Sequence, residues 1–529
     1  MSITLRRTEA SPTEPPRALP RAGGRAIPWQ RPAWAVLVPA VMLLASLCLR
    51  ALGFLPAVID TDEGLYMVQA REWLRGGWPL VAVWDMHPIG APALFALAFS
   101  LFGQSIEAVR LLGAICVAVA GWGIYGAVRA VGGPRALGLG AGLIYVAHSV
   151  RLGGLATNTE ILFAPLVVAA LALGLRGAAG ALQAGRAPRW GELAGMGLCI
   201  GMALAIKPVM VPEGCLAFAL LVFPAWWRGL LPLRRGLAMA AAYAGLCALP
   251  TLLFGLAYLA QGQLGAFVDG SFLAPLRYSL GRLGLEETFH RILVTMLTLL
   301  WPILLAVLGL ARWLRRSGPG GLLARAGLLW FGAASLAVIG PGYFFPHYFL
   351  IWLPPLAVLA ALGCWRVAWL VPPGRRGVAF GLLVAVVAVG SWRADATARV
   401  DRGIRLFAPD PVRQVADAIR AELRPGETIF VVNYHPTIYF MTGAELPTRF
   451  IFPAQLTGRE FSRVADIDTD AEVARVLATH PRFIVVDRGW WFDVRPSAAT
   501  LVTAALEADY MLDRTVTEER GPVEIWRAR

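Results

Sequence analysis

Lysine is almost absent from this chain of 529 residues. Lys207 is the only one, so the net charge of +14 rests on arginine. Charge of either sign is scarce, at 16% of residues against 57% hydrophobic, where soluble domains hold about 25% charged and about 45–50% apolar residues. That excludes a single water-soluble core. Thiols are few as well: Cys48, Cys116, Cys199, Cys215, Cys247 and Cys364 lie in or beside apolar runs, and none falls in the polar C-terminal part. They lack metal-type pairing and read as small buried thiols, so they assign no redox compartment. A G-x-G-x-x-G or Walker loop is missing, which removes the usual nucleotide cradles, and no repeat period is evident. The arginines that are present fall in short clusters between apolar runs rather than along one face. That pattern writes membrane topology and excludes a nucleic-acid partner.

Apolar runs of roughly 17 to 25 residues, enough to cross about 30 Å of hydrocarbon, occur near 33–53, 106–128, 134–150, 159–177, 193–210, 212–229, 236–260, 292–311, 322–341, 347–365 and 377–392. The weakest of these are 134–150 and the split at Pro208 to Pro212. Residues 1–32, rich in Arg, Pro and Ser, read as a disordered cytoplasmic tail leading into a retained first helix rather than a cleaved signal. With that tail inside, every second link should carry arginine, and each does: Arg129 and Arg135; Arg176, Arg186 and Arg189; Arg228, Arg234 and Arg235; Arg312, Arg315, Arg316 and Arg325; Arg366, Arg375 and Arg376. A missed or invented helix would invert all later links and break the alternation. The expected fold is an all-α polytopic membrane domain over 33–393, with about eleven spans, followed by an extracytoplasmic domain.

The links left for the non-cytoplasmic face hold a different residue set. The first, about 54–105, contains Asp60, Asp62, Glu63, Asp85 and His87, and its segments Glu63–Leu74 and Ala91–Phe102 have helical spacing but are short for spans. They are expected as interfacial helices on the membrane surface. Later links bring Arg151, Asn158 and Glu160; Lys207; Arg277 and Arg282; and His347 with Tyr348. Charged groups near a bilayer are costly, so their convergence on one face points to a site. After Trp392 the composition turns soluble. Residues 394–529 read as a small α/β domain: helices near 409–423, 470–479 and 497–507, and strands at Thr428–Val432, Phe483–Val486 and near Val523–Trp526.

Asp62-Glu63 follows the first span, where an ionised carboxylate could take a proton from a hydroxyl while its neighbour holds a metal or the sugar. Acids capping the next helix explain the pair equally well. Lys207, in Ala-Ile-Lys-Pro-Val-Met, is either a snorkelling anchor or a point charge for a phosphate. His87-Pro88, Pro346-His347-Tyr348, and Arg151 near Asn158-Thr159-Glu160 are each also readable as interfacial anchors or caps. No zinc-type spacing occurs. Asp62, Glu63 and His87 remain candidates for a divalent metal ion, and no other cofactor is indicated.

The stretch Asp62-Glu63-Gly-Leu-Tyr66-Met-Val-Gln-Ala-Arg71, then Trp84-Asp-Met-His87-Pro88-Ile-Gly-Ala-Pro92, then Phe102-Gly103 and Val109-Arg110-Leu111, resembles the first loop of polytopic lipid-phosphosugar-dependent glycosyltransferases with the GT-C fold. These are the dolichyl-phosphate-mannose protein mannosyltransferase-like enzymes, including the aminoarabinose and galacturonic acid transferases. Asn158-Thr-Glu160, Ile206-Lys207-Pro208 and His347-Tyr348-Phe-Leu-Ile-Trp-Leu-Pro354-Pro355 extend the similarity over about 55–365. The resemblance implies an inverting hexosyl or pentosyl transfer from a polyprenyl-phosphate-linked sugar to a hydroxyl of an envelope acceptor, on the outer face of a bacterial inner membrane. Asp62 matches the general base and Glu63 its acidic partner. One departure stands out: where many members carry Lys-Pro in the first loop, this chain has His87-Pro88. The donor phosphate is then expected at Lys207, His87, Arg151, Arg277, Arg282 and Tyr348, and other substrate contacts at Tyr66, Asp85, Asn158, Glu160 and His347. The rival reading is a transporter or lipid flippase; the external clustering of polar residues and the lack of a repeat oppose it.

Overall fold

The structure, a computed structural model, describes residues 32–401 and 408–529. The expected N-terminal tail, apart from Pro32, lies outside the described residues. The membrane part comprises α1 (Pro32–Arg50), α2 (Thr61–Leu74), α3 (Gly90–Phe102), α4 (Ile106–Ala130), α5 (Arg135–His148), α6 (Thr159–Ala184), α7 (Trp190–Leu204), α8 (Val211–Trp227), α9 (Leu233–Ala260), α10 (Leu264–Val268), α11 (Ala274–Ser279), α12 (Leu285–Thr298), α13 (Leu300–Trp313), α14 (Gly318–Ile339), α15 (Leu353–Ala368) and α16 (Arg376–Asp401). Among the described residues, eight segments are long and apolar enough to cross a membrane, and α12 with α13, bent by 75°, would make a ninth. The stretch Pro346–Ala368 ending in α15 is 94% buried and forms the middle of the bundle, whereas the one containing α16 is 11% buried and lines its rim.

Two of the eleven expected runs are shorter than a span. α5 has 14 residues and α7 has 15, about 21–23 Å of helix against about 30 Å of hydrocarbon. The reason is visible at α5. It runs back along α4, with Gly138 against Tyr125 and Gly142 against the Gly121 carbonyl. It stops at His148, and residues 149–158 finish the passage as irregular chain. Backbone carbonyls released in this way need donors, and two buried arginines supply them. Arg50 and Arg110 each donate to the Leu155 carbonyl at 3.1 Å, and Arg50 also reaches that of Gly154.

α16 runs through the boundary expected at 393 and on to Asp401. The C-terminal part then contains α17 (Pro411–Glu422), β1 (Ile429–Val431), α18 (Thr437–Thr442), α19 (Pro453–Leu456), α20 (Thr469–Ala478), β2 (Phe483–Asp487), α21 (Pro496–Asp509), β3 (Tyr510–Glu518) and β4 (Gly521–Ala528). The sheet order is β1-β2-β4-β3, with β1 parallel to β2 and the other pairs antiparallel. The parallel pair β1 and β2 is fully buried, as their apolar runs require.

This domain rests on the first loop. Gly64 leaves no room for a side chain without a shift, because a Cβ there would run into Thr437 Oγ1 and the Thr437 backbone nitrogen of α18. Arg71 of α2 donates to the carbonyls of Tyr439 (2.6 Å) and Ala444 (3.2 Å). Phe99 of α3 stacks on Phe440 at 5.3 Å, and the Trp84 amide donates to the Arg449 carbonyl at 2.9 Å. The two expected interfacial helices are thus α2 and α3, covered by the domain.

Candidate functional site

α2 begins where Asp60, in extended conformation, caps it. Asp60 Oδ1 accepts the Asp62 amide at 3.1 Å, as an N-cap acid does. The other oxygen, Oδ2, accepts from Asn158 Nδ2 at 3.2 Å and faces His347 Nδ1 at 3.3 Å. One carboxylate therefore joins the start of α2, the residue before α6 and the segment before α15. Burial alone would raise the Asp60 pKa, but the facing His347 and these hydrogen bonds hold it down to about 2.

Lys207 reaches the same level from the turn after α7. Pro208 cannot continue that helix, and Gly90 at the head of α3 packs on the turn by donating to the Ala205 carbonyl at 2.9 Å. Lys207 is buried, pairs with Glu160 Oε1 at 2.6 Å and lies 4.4 Å from the centre of the Tyr348 ring. The pair offsets the cost of a charge withdrawn from water, and the ring adds a cation–π contact. The Tyr348 hydroxyl meets that of Tyr278 at 3.0 Å. Tyr278 is packed in turn between Tyr343 and Phe461, 4.4 and 5.5 Å away. On the other side His87 Nδ1 lies 3.2 Å from Asp85 and 3.4 Å from the Tyr66 hydroxyl.

Charge matching singles out one group. Asp60 faces His347, Glu160 faces Lys207 and Asp85 faces His87. Asp62, between them, accepts no hydrogen bond on its side chain from the described residues. Burial, and next the Asp60 charge, push its pKa up to about 6, against the pull of His347 and His87. A carboxylate so placed is mostly ionised at pH 7 yet basic enough to take a proton, which is what general-base work requires.

Glu63 is different. It points to the inner side of α2, fully buried, with Oε2 2.7 Å from Arg110 Nη2 in an ion pair set off the hydrogen-bond direction. Its Oε1 accepts the Thr157 amide at 2.8 Å. Both oxygens are committed to the fold, and the side chain ties α2 to α4 and to the irregular stretch before α6.

The remaining expected residues divide. Arg277 is near the tyrosine cluster but engaged, donating to Asp269 at 2.8 Å and to the Val464 carbonyl at 3.0 Å. Arg282 is exposed beside Gly342. Arg151 is set apart, with Asp395 of α16 as the acid that acts on it. Asp62, Glu63 and His87 do not form a metal-ligand set: Glu63 and His87 are turned to other partners, and no group of three or more His, Cys, Asp or Glu suited to an ion occurs among the described residues. Tyr278, Tyr343 and Phe461 belong to the arrangement without having been assigned a role from sequence, and Asp60 and Arg110, though named there, were given none. The acidic spacing Asp60-Thr61-Asp62 was the one signal present for them.

A family model described as dolichyl-phosphate-mannose-protein mannosyltransferase matches residues 86–254. No curated protein matches by sequence. Among solved structures, ArnT from Cupriavidus metallidurans bound to undecaprenyl phosphate is similar at 17% identity and a TM-score of 0.60, covering 94% of this chain and 98% of that one. Its apo form gives 0.61. The apo oligosaccharyltransferase of Archaeoglobus fulgidus is similar at 14% identity and a TM-score of 0.53, over 91% of this chain and 74% of that one. The chain has the ArnT-like GT-C fold of a multi-pass membrane protein, and the resemblance to lipid-phosphosugar-dependent glycosyltransferases extends to the family model and to these structures.

Proposed function

We propose, starting from that fold, that this protein is an inverting glycosyltransferase that moves a sugar from a polyprenyl-phosphate donor to a hydroxyl of an envelope acceptor. The observation that carries the reading is Asp62, the unpaired carboxylate among paired ones, raised to about 6. An acceptor hydroxyl beside it loses its proton to the Asp62 carboxylate while its oxygen attacks the anomeric carbon. The new C–O bond forms on the face opposite the bond to phosphate, which breaks with its electron pair going to the lipid phosphate. The configuration at the anomeric carbon inverts. Lys207 and the Tyr348–Tyr278 hydroxyls are the groups able to receive that phosphate; Lys207 would then share its charge between the phosphate and Glu160. His87, held by Asp85 at 3.2 Å, stands where the resemblance leads one to expect a lysine.

The bound lipid of ArnT, undecaprenyl phosphate, supports a lipid-phosphate donor here by likeness of fold. The arginine alternation of the sequence supports a cytoplasmic N-terminus and a site on the non-cytoplasmic face of a bacterial inner membrane. Gathering of the polar side chains at one end of the bundle favours transfer chemistry over transport, which uses charges near the midplane. Mass spectrometry of envelope glycans in a deletion strain tests the reading. A sugar missing from the deletion strain should return with the wild-type gene and stay missing with Asp62→Asn; restoration by Asp62→Asn would refute the assigned base.

A further inference from the structure

Away from Asp62, a second polar cleft of about 360 Å³ opens where α2, the α3–α4 turn and the C-terminal domain meet. Arg71 of α2 and Arg75 just after it border it on one side and Arg413 and Arg420 of α17 on the other; Glu107 is the single acid in its wall. Arg71 is a fixed wall, buried and fully bonded. The others pair near the surface: Arg75 lies 3.4 Å from Glu72 and 4.0 Å from Glu445, Arg413 lies 3.3 Å from Glu107, and Arg420 pairs with Asp417 on its own helix at 2.5 Å and 60% exposure. Exposed pairs of this kind contribute little, so the guanidinium groups can turn to a stronger bidentate anion.

Two features set what that anion belongs to. The cleft includes Gln104 and Ser105, and Ser105 caps the span Ile106–Ala130, so it lies at the depth of lipid headgroups. Directly before it, α3 exposes Leu97, Leu101 and Phe102 at 52%, 65% and 49%. Leu97 and Leu101 are one helical turn apart on one face. An apolar track therefore leads straight up to an arginine-rich cleft, which matches an acyl chain and its phosphate.

We propose that this cleft binds the phosphate of a membrane phospholipid whose chain lies along Leu97, Leu101 and Phe102, and that the bound headgroup clamps α17 of the C-terminal domain to α2. It is separate from the donor site: Arg71 stands nine positions after Asp62, about two and a half helical turns, and so projects from the opposite side of α2.

The test uses full-length protein purified in detergent and delipidated. Native mass spectrometry and thermal unfolding are recorded with phosphatidylglycerol, with diacylglycerol of the same chains, and with inorganic phosphate. Phosphatidylglycerol should be retained and should raise the Tm of wild type; diacylglycerol should do neither, and phosphate should act at least about tenfold more weakly by concentration, lacking the chain contact. Arg413→Gln with Arg420→Gln, one half-buried and one exposed, should fold normally by circular dichroism and lose about tenfold in phosphatidylglycerol retention. Equal retention by the double variant, equal retention of diacylglycerol, or equal action of free phosphate would each overturn the proposal. None of these readouts depends on sugar transfer.

Discussion

The two sides of α2 carry adjacent carboxylates with opposite fates. On the inner side Glu63 is held by the Arg110 ion pair and the Thr157 amide. On the other side Asp62 sits among three acid–base pairs and belongs to none. Glu63 is fully buried and Asp62 partly so; beyond that difference, partnership sets them apart. A buried charge with a full set of partners holds structure together, while one without them keeps its proton affinity available for chemistry.

The largest way to break this contrast is at Asp62 itself. Asp62→Asn should leave the fold and melting behaviour close to wild type and reduce transfer by about 10²–10⁴-fold, measured on purified protein with a polyprenyl-phosphate sugar. Next comes Glu63→Gln, which strands the buried Arg110 guanidinium and should destabilise the protein by about 3–5 kcal/mol, read as a drop in Tm and in folded yield. If Glu63→Gln were stable and inactive while Asp62→Asn stayed active, the two roles would be reversed. Smaller is Tyr278→Phe, which removes the hydroxyl contact to Tyr348 at 3.0 Å. It should cost about 0.5–1.5 kcal/mol, seen in donor KM rather than in kcat if the pair receives the phosphate. The smallest and most specific effect is at Asp60. Its charge is the next cause after burial of the raised Asp62 pKa, so Asp60→Asn should move the acid limb of the pH–rate profile to lower pH, an effect that loss of an N-cap alone would not produce.

Much of this was readable in the chain. Apolar runs and their arginines marked most spans, because bilayer thickness and the cost of a charge act on local composition. In the C-terminal part, α17, α20, α21, β1, β2 and β4 fall within a few residues of their expected positions. β3 escaped notice since its mixed sequence, mostly exposed, shows little alternation. α7 was overextended because apolar composition continues past Leu204, where the helix stops, while the short α5 ends in irregular chain whose carbonyls take donors from Arg50 and Arg110. Glu63 was expected to act with Asp62 on the strength of adjacency. Its actual partners come from 47 and 94 residues along the chain, a separation that periodicity cannot report. Asp60 was hidden for a related reason, since a cap and a hub look alike until His347 and Asn158 are brought to it. Likewise nothing local in Phe461 or Arg71 tells that the C-terminal domain closes over the first loop.

The most direct measurement is the pH dependence of wild-type kcat/KM for sugar transfer. The expected result is full activity above about pH 7 and a single-proton fall as pH drops through about 6, because Asp62 raised to about 6 must be ionised to accept the hydroxyl proton. A profile flat down to pH 5, with its fall near the ordinary aspartate value of 3.8, would contradict the account.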